Sequence, residues 1–357
     1  MKIYHTLLPF SSDQGNIFPA LSHVQDACFF DIETTGLSFK RSHLCILGAA
    51  VYEEGKWQIT QIFLESPLEE EEALKLFLAL LSSRSLLIHY NGSTFDIPYL
   101  SGKSTMYNLD FPFENQENLD LYRRLRPFRK FFPVPSMKQK DLEIPAGFSR
   151  RDRLESNRIS DYYKKYIMTR DQTALELLLL HNQDDIAGMA AILPLLSLER
   201  FFNRCCSVST SLNGSDLIFH SQEETDLPFP LSFASGPFTF HAQKDGMELI
   251  SAGTEETLKL FFSNYRDYYY LPEEDMAIHK SVGQFVDKSH RQRASAATCY
   301  QKKKDIFVTA PPDFSLLPLF ARSYKDKETF CLRDDLAKDP AASRQYVHLT
   351  LQYLLRL

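Results

Sequence analysis

Apolar residues in the first 120 positions fall into short runs, too brief for helices and bounded by turn residues. Ala27-Cys28-Phe29-Phe30 is continuous and reads as a buried strand that leads into Asp31-Ile32-Glu33-Thr34-Thr35-Gly36. Leu44 to Tyr52 is a second buried run, Glu54-Gly55 a turn, and Trp57 to Leu64 alternates as a third strand. The short connections make these three an antiparallel meander. Residues 1–26 are a lead-in, in which Met1 to Leu8 is either an edge strand or a segment packed on the core.

The pattern then changes period. Ser66-Pro67 opens a helix whose first turn, Glu69 to Glu72, is acidic and suits the positive end of the helix dipole. Leu74, Phe77, Leu78 and Leu81 recur at helical spacing. Ser85 to Tyr90 is a fourth strand, followed by the turn Asn91-Gly92-Ser93-Thr94-Phe95-Asp96 and a short helix around Pro98 to Lys103. Leu119-Asp120-Leu121 is a fifth strand. A helix covers Tyr162 to Tyr166, and a long one runs from Asp171 to about Leu193, where Pro194 should end or kink it. Strands at Asp216 to Phe219, Phe238 to Phe240 and Glu248 to Ile250, a helix from about Glu255 and an amphipathic helix from about Ser343 to Leu355 make a second unit. The expected division is 1–199 and 200–357, an α/β domain with a mixed five-stranded sheet flanked by helices, then a smaller α+β domain.

Composition narrows the class. The chain has 357 residues, 44% hydrophobic and 24% charged, as in globular proteins of two domains. A net charge of −6 argues against a protein that coats nucleic acid, but not against an enzyme that grips it locally. Six scattered cysteines include no C-x-x-C pair, so a zinc ribbon is not expected. No signal-peptide pattern opens the chain, and no apolar run approaches the length of a membrane span. A reducing cytoplasm with unpaired thiols is the expected setting.

The candidate chemistry starts with Asp31 and Glu33. Side chains two apart on a strand share a face, so two carboxylates stand together at the end of a buried run. Their repulsion is barely screened there, and a divalent cation is the simplest remedy. Hydrolysis of a phosphodiester by two cations needs three or four converging carboxylates. Asp96 is the third candidate, although taken alone it reads better as an N-terminal helix residue favoured by the dipole. His181-Asn182-Gln183-Asp184-Asp185 holds the fourth. Asp185 is four residues from His181 and Asp184 three, so helix geometry alone does not choose between them.

In this order D-I-E-T-T-G, N-G-x-x-F-D and H-N-x-x-D resemble the three exonuclease motifs of the DEDD superfamily of ribonuclease-H-like 3′-5′ exonucleases. Within it the chain is most similar to the bacterial YprB-type group, over roughly residues 25–197. The resemblance implies a ribonuclease-H-like fold and a two-ion site for Mg²⁺ or Mn²⁺ with Asp31, Glu33, Asp96 and Asp185 as ligands. It also implies that His181 orients or deprotonates the attacking water. The spacing departs from the histidine subclass, where histidine lies five before the aspartate, and the residue departs from the tyrosine subclass. The complete set of four carboxylates argues against an inactive relative.

Residues 123–170 carry fourteen Lys or Arg against five Asp or Glu, which suits contact with phosphates. Arg124 and Lys138 are the basic candidates for substrate binding; Thr34, Thr35 and Asn91 join them from the motifs. Phe128, Phe131, Phe132 and Tyr162 are candidates for stacking on bases, with core packing as the alternative. A second basic run, 279–304, has seven Lys or Arg and one acid, and reads either as a grip on nucleic acid or as a solvated face. The expected activity is hydrolysis of single-stranded DNA or RNA, by a 3′-5′ exonuclease. A catalytically silent binding module and an endonuclease on the same fold are the competing readings.

Overall fold

The structure is a computed structural model that describes residues 1–8, 24–111, 113 and 116–357. Most of the lead-in, residues 9–23, lies outside the described residues. The chain forms two compact units, Met1–Ser197 and Leu198–Leu357.

The first unit is built on one mixed sheet of six strands. These are β1 (Lys2–Leu7), β2 (Ala27–Thr34), β3 (Leu44–Glu53), β4 (Lys56–Phe63), β5 (Leu86–His89) and β6 (Glu117–Asp120), in the order β1-β4-β3-β2-β5-β6. The meander β2-β3-β4 is antiparallel, as the short turns demand, and β5 and β6 join parallel to β2. Residues 2–7 pair with β4, which makes the stretch from Met1 to Leu8 an edge strand and gives the sheet six strands among the described residues rather than five.

Helices cover both faces. α1 (Glu70–Ser82) and α2 (Asp96–Met106) pack on Cys28, Phe30 and Ile32 of β2. α1 follows a capping box in which Ser66 and Glu69 satisfy each other's backbone N–H groups. α3 (Leu121–Leu125) and α4 (Gln139–Glu143) are single turns. α5 (Ile159–Thr169) and α6 (Gln172–Ile192) pack on the other face, around Cys45, Ile46 and Phe63. Alternation along β2 therefore sends Asp31 and Glu33 towards α6. α6 ends at Ile192 and a 3-10 turn carries Pro194.

α7 (Ser197–Asn203) begins where the units divide. The second unit is rich in strands. β7 (Ser209–Asn213), β8 (Asp216–Ser221), β9 (Leu231–Ser235), β10 (Phe238–Gln243) and β11 (Gly246–Ser251) form an antiparallel sheet in the order β7-β8-β11-β10-β9. β12 (Gly253–Phe261), β16 (Tyr300–Thr309) and β17 (Phe330–Leu332) form a second, and β13 (Tyr268–Leu271), β14 (Met276–His279) and β15 (Gln292–Arg293) a third. α8 (Lys280–Gly283) and α9 (Arg333–Lys338) are short; α10 (Pro340–Arg356) starts one turn earlier than its pattern predicts, capped by Asp339.

The helix expected from Glu255 is a strand. Gly253 to Phe261 pairs residue by residue with Val308 to Tyr300, and Leu258 enters a cluster with Phe307 and Phe330. Long-range pairing overrides the helix-favouring Glu, Leu and Lys of this stretch.

Candidate active site

Asp31 and Glu33 end the central strand, just before a bulge between Glu33 and Thr34. Asp31 Oδ2 accepts 2.9 Å from Asn182 Nδ2, one residue along α6 from His181. Asp96 begins α2, and its Oδ1 accepts from Ile32 N at 3.3 Å, which ties the helix start to the strand between the two acids. The third and fourth acids thus reach β2 from opposite sides of the sheet.

The two aspartates of α6 have separate surroundings. Asp184 is buried and accepts from Arg151 N at 2.7 Å and Asp152 N at 2.8 Å, so it anchors the loop around residues 150–152. Asp185 turns to the opening. Its Oδ2 lies 3.4 Å from His181 Nε2, and its Oδ1 lies 2.6 Å from Arg150 Nη2. Donor atoms of Glu33, His181 and Asp185 lie within 4.8 Å of one another.

The electrostatics match acids crowded together and largely withdrawn from solvent. Burial pushes Asp31 well above the usual carboxylate range, and the charges of Asp185 and Asp96 add to it; Asn182 and Arg150 pull the other way. Burial and the charges of Asp31, Asp185 and Asp96 push Glu33 well up. Burial raises Asp96 to about 7 against two backbone hydrogen bonds. The charge of Asp185 raises each of the three, so all four carboxylates share one field. Their oxygens are hard donors suited to Mg²⁺ or Mn²⁺, and neutralising this crowd of like charges is what such an ion does.

A cleft of about 1030 Å³ opens at His181 and Asp185. Of the residues named from the sequence, Asn91 and Lys138 line it and Arg124 does not. Asn91 takes a left-handed φ of 57°, and its N–H donates to Asp120 Oδ1 at 3.0 Å. The hydroxyls of Thr34 and Thr35 are engaged within their own loop, with Gly36 O and His43 N. Phe128, Phe131 and Phe132 are buried and serve the core, while Tyr162 is half-buried and packs against the α5–α6 core with one side.

Several side chains at the cleft escaped the sequence reading. Lys140, Arg150 and Arg153 line it with Lys138, and Tyr90 and Tyr122 meet edge to face at 5.9 Å on its wall. The Tyr90 hydroxyl donates to Met137 O and so fixes the turn that presents Lys138. Glu143 takes both Nε and Nη2 of Arg150, at 2.6 and 2.7 Å. Asp152 Oδ2 lies 2.5 Å from His181 Nδ1. In the second unit the basic run is largely spent on local partners. Lys302, Lys303 and Lys304 pair with Asp275, Asp305 and Glu255, and Arg291 stacks on Tyr269.

Residues 28–197 match a family described as the RNase_H superfamily, and with its mixed sheet flanked by helices this unit is an RNase H-like domain. No curated protein matches the chain. Solved structures are similar to it in part, three of them as follows. One is the family B DNA polymerase from the hyperthermophilic archaeon Pyrobaculum calidifontis, at 14% identity and a TM-score of 0.37, with 68% of this chain and 35% of that chain covered. Another is SSB/exonuclease I in complex with the inhibitor CFAM, at 13% identity and 0.27, with 56% of each chain covered. A third is exonuclease I in complex with the inhibitor BCBP, at 13% identity and 0.28, with 61% and 55% covered. The chain thus spans between 35% and 56% of the lengths of these structures. Among the described residues no helix is long and apolar enough to cross a membrane.

Proposed function

We propose that the first unit is a metal-dependent nuclease that hydrolyses phosphodiester bonds of single-stranded nucleic acid as a 3′-5′ exonuclease with two ions. One observation carries this reading: four carboxylates on three elements, Glu33 and Asp96 buried and Asp31 and Asp185 half-buried, share one field beside a cleft that Asp185 lines with lysine and arginine. Acids pushed above their usual range gather at functional sites, and here three do so beside a fourth.

Asp31, Glu33, Asp96 and Asp185 would hold the ions, Mg²⁺ or Mn²⁺. Bound there, such ions supply Lewis-acid polarisation of the phosphate and a clamp on the attacking and leaving oxygens. The protein contributes the rest. Lys138, Lys140 and Arg153 line the cleft and give phosphates a charged path to the acids. Arg150 partly neutralises Asp185 and is itself fixed by Glu143. The six free cysteines support a reducing, cytoplasmic setting.

The test is degradation of 5′-labelled single-stranded DNA and RNA with Mn²⁺, Mg²⁺ or EDTA, comparing the wild type with Asp31→Ala. A ladder that shortens from the 3′ end, absent in EDTA and in the variant, is the expected result and names the polymer. Discrete internal cuts with the same metal dependence would change the reading to an endonuclease. Retained binding with no cleavage would leave a silent binding module.

A further inference from the structure

We infer that His181 is itself a metal ligand, through Nε2, with Glu33 and Asp185 as the flanking oxygen donors and Asp152 as the residue that positions it. This departs from the water-activating role that the motif resemblance implies, and it rests on the metal-dependent reading of the site.

The two ring nitrogens have unlike surroundings. Nδ1 is 2.5 Å from Asp152 Oδ2, a short hydrogen bond deep in the protein, with His181 only 4% exposed. Asp152 is fixed in turn: its N–H donates to Asp184 at 2.8 Å, and its Oδ1 accepts from Leu154 N at 2.7 Å. In the neutral ring, an Nδ1–H that donates to the Asp152 carboxylate leaves the lone pair at Nε2, where a metal ion can take it. That atom lies 3.4 Å from Asp185 Oδ2 and 3.7 Å from Glu33 Oε1. Both distances are longer than a usual hydrogen bond, and they are ion pairs only when the ring is protonated.

The two separations from Nε2 fall in the range open to ligands around one ion. With bonds of about 2.1 Å, neighbouring ligands of an octahedral ion stand about 3 Å apart and opposite ones about 4.2 Å. The three donor atoms here all fall within 4.8 Å of one another. Residues four apart on a helix can both reach one ion, the geometry that H-E-x-x-H uses. The buried carboxylate behind Nδ1 is the support that ligating histidines ordinarily have. An imidazole among the carboxylates also changes the metal preference. Nitrogen donors suit Mn²⁺, Co²⁺ and Zn²⁺ better than Mg²⁺, so one of the two ions should be of this softer kind.

The experiment uses the full chain loaded with Mn²⁺ alone, without nucleic acid. Electron spin-echo modulation from an imidazole ¹⁴N is expected in the wild type, and should change isotope signature when the histidines are labelled with ¹⁵N. His181→Gln should bind Mn²⁺ without that modulation, and Asp152→Asn should bind roughly 10- to 100-fold more weakly. Modulation from the wild type needs no variant, so a misfolded substitution leaves the test intact. Mn²⁺ bound with no nitrogen coupling would overturn the inference and leave the nuclease reading standing. No Mn²⁺ binding at all would overturn both.

Discussion

Gly48 of β3 and Asn182 of α6 occupy neighbouring space so closely that a Cβ on Gly48 would lie 2.1 Å from Asn182 Oδ1. Gly48 sits opposite Asp31 on one side and Gln61 on the other. The missing side chain lets the Asn182 amide lie flat on the sheet. There it accepts from Gln61 Nε2 at 2.9 Å and donates to Asp31 Oδ2 at 2.9 Å. The seat of α6 on the sheet, and with it the position of Asp185, therefore depends on one glycine.

Gly48→Ala is expected to push α6 outward and to cost about 1–3 kcal/mol, the usual range for overpacking. Trp57 is the sole tryptophan and is buried on β4, so its fluorescence follows unfolding of the first unit. A urea titration read by Trp57 should show the loss. Adding Asn182→Ala to Gly48→Ala should recover part of it, because the clash is removed from the other side. Strictly additive losses would mean that the close approach does not set the helix position.

Asp96 gives a prediction of opposite sign. Its carboxyl is raised to about 7, by burial first and by the charges of Asp185 and Asp120. The unfolded chain releases this proton near pH 3.8 and the folded chain near 7. Between those values the folded state holds more protons, so this group's contribution to stability is lost as pH rises through the window. The loss is on the order of 2–4 kcal/mol by pH 8. Asp96→Asn keeps an acceptor for Ile32 N and discards the charge. In EDTA the variant should melt above the wild type at pH 8 and level with it near pH 4. Mn²⁺ should raise the melting temperature of the wild type and do less for the variant. A variant that melts lower at pH 8 would show that the carboxylate is not strained without metal.

How far the sequence revealed these features depends on how local they are. The strand through Asp31 and Glu33 was legible because Ala27 to Phe30 is one apolar run, and the meander because its turns are short. Helix geometry left Asp184 and Asp185 open, because both lie within reach of His181, and only the motif resemblance named Asp185; in the structure the loop at Arg151 and Asp152 takes up Asp184. Asp152 and Glu143 lie in stretches with no periodicity, and their partners are 29 and seven residues away. A faint signal existed in Gly48 and Gly188, since a glycine inside a strand or helix often marks a close approach. The basic count over 123–170 was real, but Arg129 spends its guanidinium on the carbonyls of Val134 and Pro135. The stretch from Glu255 misled because its partner strand begins about forty residues on.

Gly188 and Glu143 test the support behind Asp185. A Cβ on Gly188 would meet Glu143 Oε1 at 1.9 Å, so the glycine makes room for a carboxylate that is 1% exposed. That carboxylate holds two nitrogens of Arg150, whose Nη2 also reaches Asp185. Glu143→Ala leaves the arginine without its main partner, and breaking such a pair costs about 3–5 kcal/mol. The Trp57 titration should show a loss in this range, and Gly188→Ala should show one in the same direction. An unchanged midpoint for Glu143→Ala would mean that Asp185 alone suffices to hold the guanidinium.

The buried pair of Glu70 and Lys103 ties α1 and α2 to the edge of the site, and it predicts acid sensitivity. Both side chains are 2% exposed. Lys103 Nζ donates to Glu70 Oε2 and to Ser42 O, each at 2.8 Å, and Glu70 also accepts from Leu44 N at 2.7 Å and Tyr107 Oη at 2.7 Å. Burial alone would raise the Glu70 carboxyl, but the hydrogen bonds from Lys103, Leu44 and Tyr107 outweigh it and leave the group below its usual value. Its contribution to stability is therefore complete above about pH 4.5 and is lost as pH falls through the lower, folded value. Glu70→Gln should cost about 3–5 kcal/mol at pH 7, because it strands a buried ammonium. Below the folded value the gap to the wild type should narrow, since the wild-type carboxyl is then neutral too. Glu70→Leu combined with Lys103→Met should recover most of the loss at pH 7, because no buried charge is left unpaired. If Glu70→Gln alone were as stable as the wild type at pH 7, the pair would be dispensable for holding α1 against α2.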